Sequence, residues 1–208
     1  MSSSRKPRLG LVGDSIAQHY APYLAPLLSP AFSQAFSIED GAYARAAEDW
    51  DRPVGANGGD SGRALAFVRD VVPHGMFDVL LVNAGLHDVR RTAHGLQVPP
   101  WSHRDNVRAI VASCVSHQVL PVWVTTTPVY DDRHNAVAVG FRRFNRDVLR
   151  YNVIAMECVT AAEVPSIDLY AFSAPFGAKA VDDHVHFVPE VRAAQAEYIV
   201  EELRSLTW

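Results

Sequence analysis

Four short stretches of this chain carry side chains suited to nucleophilic or acid–base chemistry, three of them at or just beyond a short apolar run and the fourth after a run and a loop, ahead of the last helical pattern. The first is Gly13-Asp14-Ser15, which closes the run Leu9-Gly10-Leu11-Val12 and opens a helical pattern. A serine hydroxyl at such a strand-to-helix corner sits beside backbone N–H groups able to stabilise a developing anion, although Asp and Ser before a helix are also ordinary caps. The second, Asn57-Gly58-Gly59-Asp60-Ser61-Gly62, again precedes a helical pattern. Its glycines let a backbone N–H approach a ligand closely, and they suit a turn equally well. The third, Asn83-Ala84-Gly85-Leu86-His87-Asp88, follows Val79-Leu80-Leu81-Val82 with no turn residue before Asn83. Polar groups at the end of a buried strand need partners. The fourth is Val181-Asp182-Asp183-His184-Val185-His186-Phe187. An Asp three residues before a His can bend back to accept from Nδ1–H, leaving Nε2 free to act as a base. The same cluster has a metal reading, because Asp182 or Asp183 with His184, His186 and His87 is a donor set suited to zinc or iron.

The elements between these stretches must bring them together. Apolar runs predict strands over Arg8–Val12, Val54–Asn57, Phe77–Asn83, Leu120–Thr125 and Val164–Asp168. Helical periodicity predicts helices over Ile16–Leu28, Gly62–Val72, Ser102–Ser116, Val139–Cys158 and Pro189–Ser205. Runs such as Val79–Val82 and Val122-Trp123-Val124 are apolar on both faces, which fits a parallel sheet covered by helices. The expected fold is a three-layer α/β/α sandwich over one five-stranded parallel sheet. In such a sheet the chemistry-bearing stretches follow strand C-terminal ends, the edge where ligands bind, so Ser15, Gly59, His87, Asp183 and His186 converge. The long connections Ser29–Pro53, Gly85–Trp101 and Thr127–Ala138 lie between these elements. They supply Tyr43, Trp50, Trp101 and Tyr130, aromatics that can stack on a sugar, line an acyl pocket or simply pack half-buried. Asp14, Trp101 and Tyr130 are the candidate substrate contacts.

A length of 208 residues, with no repeat or shift in composition, points to a single domain over 1–208. A hydrophobic content of 49% with 20% charged residues excludes collagen-like and strongly disordered classes. Charge is mildly acidic, 19 basic against 23 acidic residues, without the basic stripe that nucleic-acid binding needs. No apolar stretch has the length of a membrane span. Cys114 and Cys158 fall inside predicted helices and read as separate buried thiols. Met1 to Arg8 contains no signal-like apolar segment, so the expected location is cytoplasmic, or secreted if a leader has been removed.

The ordered set Gly13-Asp14-Ser15, Asn57-x-Gly59, Gly85-x-His87-Asp88 and Asp183-x-x-His186 resembles the sequence blocks of the GDSL/SGNH hydrolase superfamily, over nearly the whole chain. His186-Phe187-Val188-Pro189-Glu190 is similar to the family's His followed by Pro-Glu at the start of the last helix. The resemblance implies a flavodoxin-like sandwich with Ser15 as nucleophile, His186 as base and Asp183 as the carboxylate that orients it. It also implies an oxyanion hole built from the Ser15 and Gly59 backbone N–H groups and a third donor. There the family has Asn and this chain has His87, whose imidazole N–H can still donate. Asn83, two residues before the matching glycine, is expected to hold loop geometry. The implied activity is a serine esterase without metal or cofactor, acting on small-molecule or carbohydrate esters with short acyl groups such as acetyl. Alternatives are an acyltransferase on the same triad, a metal-dependent hydrolase using Asp183, His184 and His186, and a binding protein on a degenerate hydrolase scaffold.

Overall fold

The computed structural model describes residues 5–29, 31–34, 59–137 and 140–206. Among these, the strands in chain order are β1 (Arg8–Gly13), β2 (Ser33–Gln34), β3 (Val79–Asn83), β4 (Arg91–Thr92), β5 (Gly95–Leu96), β6 (Leu120–Val124) and β7 (Ser166–Ile167). The α-helices are α1 (Ser15–Leu28), α2 (Ser61–Val71), α3 (Pro100–Ser116), α4 (Asp131–Val137), α5 (Asn145–Ala161), α6 (Leu169–Ser173) and α7 (Pro189–Ser205). Five strands form one sheet in the order β2-β1-β3-β6-β7, with every pairing parallel. β4 and β5 form a separate antiparallel hairpin. The strand order reverses between β1 and β3, and in open α/β sheets the crevice beyond such a reversal is the natural ligand position.

Alternation along the strands sends side chains into two cores. Leu9, Leu11, Val79, Leu81, Val122 and Val124 pack with Tyr20 and Leu24 of α1 and Ile199 and Leu203 of α7. Val12, Leu80, Val82 and Trp123 pack on the other face with Val68 of α2, Ile110 of α3 and Val159 of α5. Burial on both faces is what the apolar runs required, and each buried Leu or Val contributes about 1.5–3 kcal/mol relative to exposure. Cys114 and Cys158 are free and buried in α3 and α5 as expected, and burial pushes the Cys114 thiol up to about 12.

The predicted α/β sandwich is the observed one, with local corrections. The predicted helix Val139–Cys158 begins instead at Asn145, and the predicted loop before it contains α4. Gly140 adopts φ +85° and Arg142 forms a backbone bridge with Arg91, so the chain there is extended rather than helical. The last strand shrinks to Ser166–Ile167. The predicted strand Val54–Asn57 lies outside the described residues, and the edge of the sheet beside β1 is taken by Ser33–Gln34.

Candidate active site

The corner between β1 and α1 is fixed from both sides. Asp14 is the N-cap of α1, its Oδ1 accepting from the Ile16 N–H at 3.0 Å, while its own N–H donates to Asn83 O at 3.2 Å. Gly13 is required there because a Cβ would lie 2.5 Å from the Ala17 Cβ and 2.7 Å from Asn83 O. The turn therefore enters the helix at once and places Ser15 in its first turn.

Ser15 Oγ lies 2.8 Å from His186 Nε2, and His186 Nδ1 lies 2.6 Å from Asp183 Oδ2. The consistent proton assignment has Nδ1–H donating to the carboxylate and Nε2 accepting from the hydroxyl. Asp183 Oδ1 accepts in addition from the N–H groups of Val185 at 2.8 Å and His186 at 2.9 Å. Burial by itself would raise the Asp183 pKa, but the hydrogen bond and charge of His186, with those backbone donors, outweigh it and hold the carboxyl far below its ordinary range. Ser15 and His186 are almost fully buried, whereas the Asp183 side chain is 43% exposed.

The loop carrying Asp183 and His186 is closed on itself, Asp182 N–H donating to His186 O at 2.7 Å. It is gripped from α4 by the Arg133 guanidinium, which donates to the carbonyls of Asp183 at 2.8 Å, Val181 at 2.7 Å and Asp182 at 3.1 Å. His134 and His184 approach each other through their Nδ1 atoms at 2.9 Å. The metal reading loses its donors here, since both nitrogens of His186 are engaged by Asp183 and Ser15. Among the described residues no group of three or more His, Cys, Asp or Glu side chains is placed to hold an ion.

The remaining stretches interlock at the same edge. Gly59 is buried with φ +104°, just ahead of α2. The Ser61 N–H at the start of α2 donates to Asp88 Oδ1 at 2.7 Å, and Asp88 Oδ2 lies 2.5 Å from His103 Nδ1 of α3. His87, beside Asp88, is buried. Arg143, also buried, donates from Nε to Leu86 O at 2.8 Å. Burial raises Asp14 to about 7 against the opposing pull of the Ile16 N–H, the Arg143 charge and the Leu86 N–H, with the Asp88 charge raising it further. Asn83 holds the loop as expected, donating from Nδ2 to Val124 O at 3.0 Å and Thr125 O at 3.3 Å.

Of the candidate substrate contacts, Asp14 is buried at its capping position, its Oδ1 engaged by the Ile16 N–H. Tyr130 packs beneath the loop against Val181, Phe187 and Val191, with Oη donating to Ala174 O at 3.5 Å. Trp101 alone of the three is open, 69% exposed in the first turn of α3. Asn57, Tyr43 and Trp50 lie outside the described residues. Sequence reasoning missed Arg133, Arg143, His103 and His19. Only His19 had a readable signal, its position one helical turn beyond Ser15.

No family model matches the sequence, and no curated protein matches it. Solved structures do match in fold. A lipase/acylhydrolase from Enterococcus faecalis superposes with a TM-score of 0.68 at 14% identity, over 95% of each chain. A GDSL-like lipase from Bacteroides thetaiotaomicron gives 0.64 at 13% identity, over 96% of this chain and 89% of the other. A mutant acetyl-xylooligosaccharide esterase from a Geobacillus gives 0.65 at 15% identity, over 100% of this chain and 98% of the other. The fold is common to these structures and this chain.

Proposed function

We propose that this chain, folded as the GDSL-type hydrolases are, is a serine ester hydrolase. The observation that carries the reading is the unbroken line Ser15 Oγ, His186 Nε2, His186 Nδ1, Asp183 Oδ2, with contacts of 2.8 Å and 2.6 Å. In the first step His186 takes the Ser15 proton while Oγ attacks the ester carbonyl. The resulting oxyanion is held by the N–H groups of Ser15 and Gly59 and by the His87 imidazole. The intermediate collapses, the carbon–oxygen bond to the alcohol breaks, and His186 returns its proton to the departing alkoxide. In the second step His186 deprotonates a water that attacks the acyl-enzyme, and the acid leaves as Ser15 recovers its proton. Asp183 keeps Nδ1 protonated and stabilises the imidazolium in both steps.

The substrate class is a short acyl ester, acetyl on a carbohydrate being the favoured member. Two features support it: the exposed Trp101, an aromatic face of the kind that stacks on sugar rings, and the fold shared with an esterase of acetyl-xylooligosaccharides. The test is a chromogenic acetyl ester with Ser15→Ala, which should lose about 10⁴-fold or more of kcat while melting like the parent. A serine-directed phosphonate should add its mass to Ser15 in the unaltered protein. Retained turnover in Ser15→Ala would remove the nucleophile from the scheme.

A further inference from the structure

His19 stands four residues beyond Ser15 on α1, a spacing that brings side chains to the same face of a helix. Its ring lies flat against that of His186, the centroids 4.3 Å apart and the planes 17° from parallel. Both side chains are withdrawn from solvent. We propose that His19 is a positioning residue for the base: a neutral imidazole stacked on His186 that fixes its ring plane and stabilises the positive charge it acquires during turnover. The inference rests on His186 serving as the base of a serine hydrolase.

The hydrogen bonds of His186 at Nδ1 and Nε2 run in the plane of its ring and by themselves oppose tilt about the line between them only weakly. A flat neighbour removes that tilt. When His186 takes the serine proton, the face of a neutral aromatic ring within about 6 Å attracts the new cation. A charged neighbour would repel it, so His19 has to resist protonation. Burial is the main cause that pushes His19 down to about 2, and the charges of His186 and Arg192 act in the same sense against the opposing Asp183. Among the described residues, Asp183 and His184 from the loop, Arg192 from α7 and the Ser15 hydroxyl are titratable or charged groups that act on the stacked pair.

The experiment compares His19→Leu, which removes the ring, with His19→Phe, which keeps a flat aromatic face, using the acetyl ester. His19→Leu should lower kcat about three- to tenfold with KM unchanged, and should move the acid limb of kcat/KM to lower pH by about half a unit. The limb moves down because an imidazolium without its stacked neighbour gives up its proton more readily. His19→Phe should restore most of both. Parental kcat and acid limb in His19→Leu would overturn the proposal, as would a folded His19→Phe that falls as far as His19→Leu. Should His19→Leu not fold, nitrogen NMR of the histidine rings in the unaltered protein decides: His19 neutral at pH 5 upholds the proposal and His19 charged there overturns it. Ser15→Ala separates the two readings. If that variant is inactive while the His19 variants behave like the parent, only the stacking role falls; if it is active, the hydrolase reading falls as well.

Discussion

Two carboxylate–imidazole pairs stand near the C-terminal edge of the sheet, with nearly the same contact and opposite surroundings. Asp183 and His186 are joined at 2.6 Å across three residues of one loop, the carboxylate side chain is 43% exposed, and the far nitrogen meets a serine hydroxyl. Asp88 and His103 are joined at 2.5 Å, from a turn and a helix, and both are fully buried. Asp88 spends its second oxygen on the Ser61 N–H, and His103 Nε2 has no hydrogen-bond partner among the described residues. In the proposed hydrolase the Asp183–His186 pair serves as the base because its outer nitrogen faces the Ser15 hydroxyl. Enclosed in the core, the Asp88–His103 pair is a strut, tying the start of α2 to the turn that carries His87.

The largest expected effect tests the first half of that contrast. Asp183→Asn removes the charge that orients and stabilises His186, and kcat on an acetyl ester should fall about 10⁴-fold in protein that still folds. The second half reverses the readouts. His103→Leu strands the Asp88 carboxylate in the core and should cost about 3–5 kcal/mol, seen as a lower urea midpoint. A His103→Leu protein that melts normally yet has lost turnover would break the comparison. His87 precedes Asp88 in the turn after β3, and His87→Ala should lower kcat about 10²- to 10³-fold, with His87→Asn recovering part of the loss. Unchanged kcat in His87→Ala would take it out of the oxyanion hole.

The smallest effect concerns pH and a third buried carboxyl. Asp14 is raised by burial to about 7, above its unfolded value, so the folded state holds this proton more tightly. Its contribution to stability is present at low pH and fades as pH rises through about 7. Asp183 behaves oppositely: held low, it stabilises above the ordinary carboxylate range, and that contribution is lost as pH falls through and below it. Asp14→Asn keeps a good helix cap while removing the buried charge. Thermal melts should show it more stable than the parent at pH 8, with the advantage shrinking toward pH 5. An advantage that grows toward pH 5 would contradict the assignment.

The difference between the pairs also marks what could be read in the sequence. Asp183 and His186 were legible because three residues of one segment define their contact, and Ser15 because a strand and a helix visibly meet around it. The strut was half visible: Asp88 stood in a recognisable turn, while His103 looked like any polar residue inside a helix. Its partner could be found only once the turn after β3 and α3 had been brought together. Arg133 and Arg143 act through carbonyl oxygens, which leave no mark on residue type. The strands with strong two-sided burial were placed within a residue or two. β2, two polar residues held by their register against Arg8 and Leu9, carries no periodicity to detect. The helix predicted from Val139 starts late, at Asn145, because Gly140 and the Arg91–Arg142 bridge hold the chain before it out of helical geometry.

Ser15 and His186 are 171 residues apart. Folding must therefore bring α7 and the loop before it onto a β1–α1 corner made much earlier in synthesis, and the face of α1 that packs with α7, with Tyr20 and Leu24, is completed only then. Regained turnover during renaturation should consequently lag behind recovery of helical signal and coincide with docking of α7 on α1, which makes ester cleavage a timer for that step of assembly.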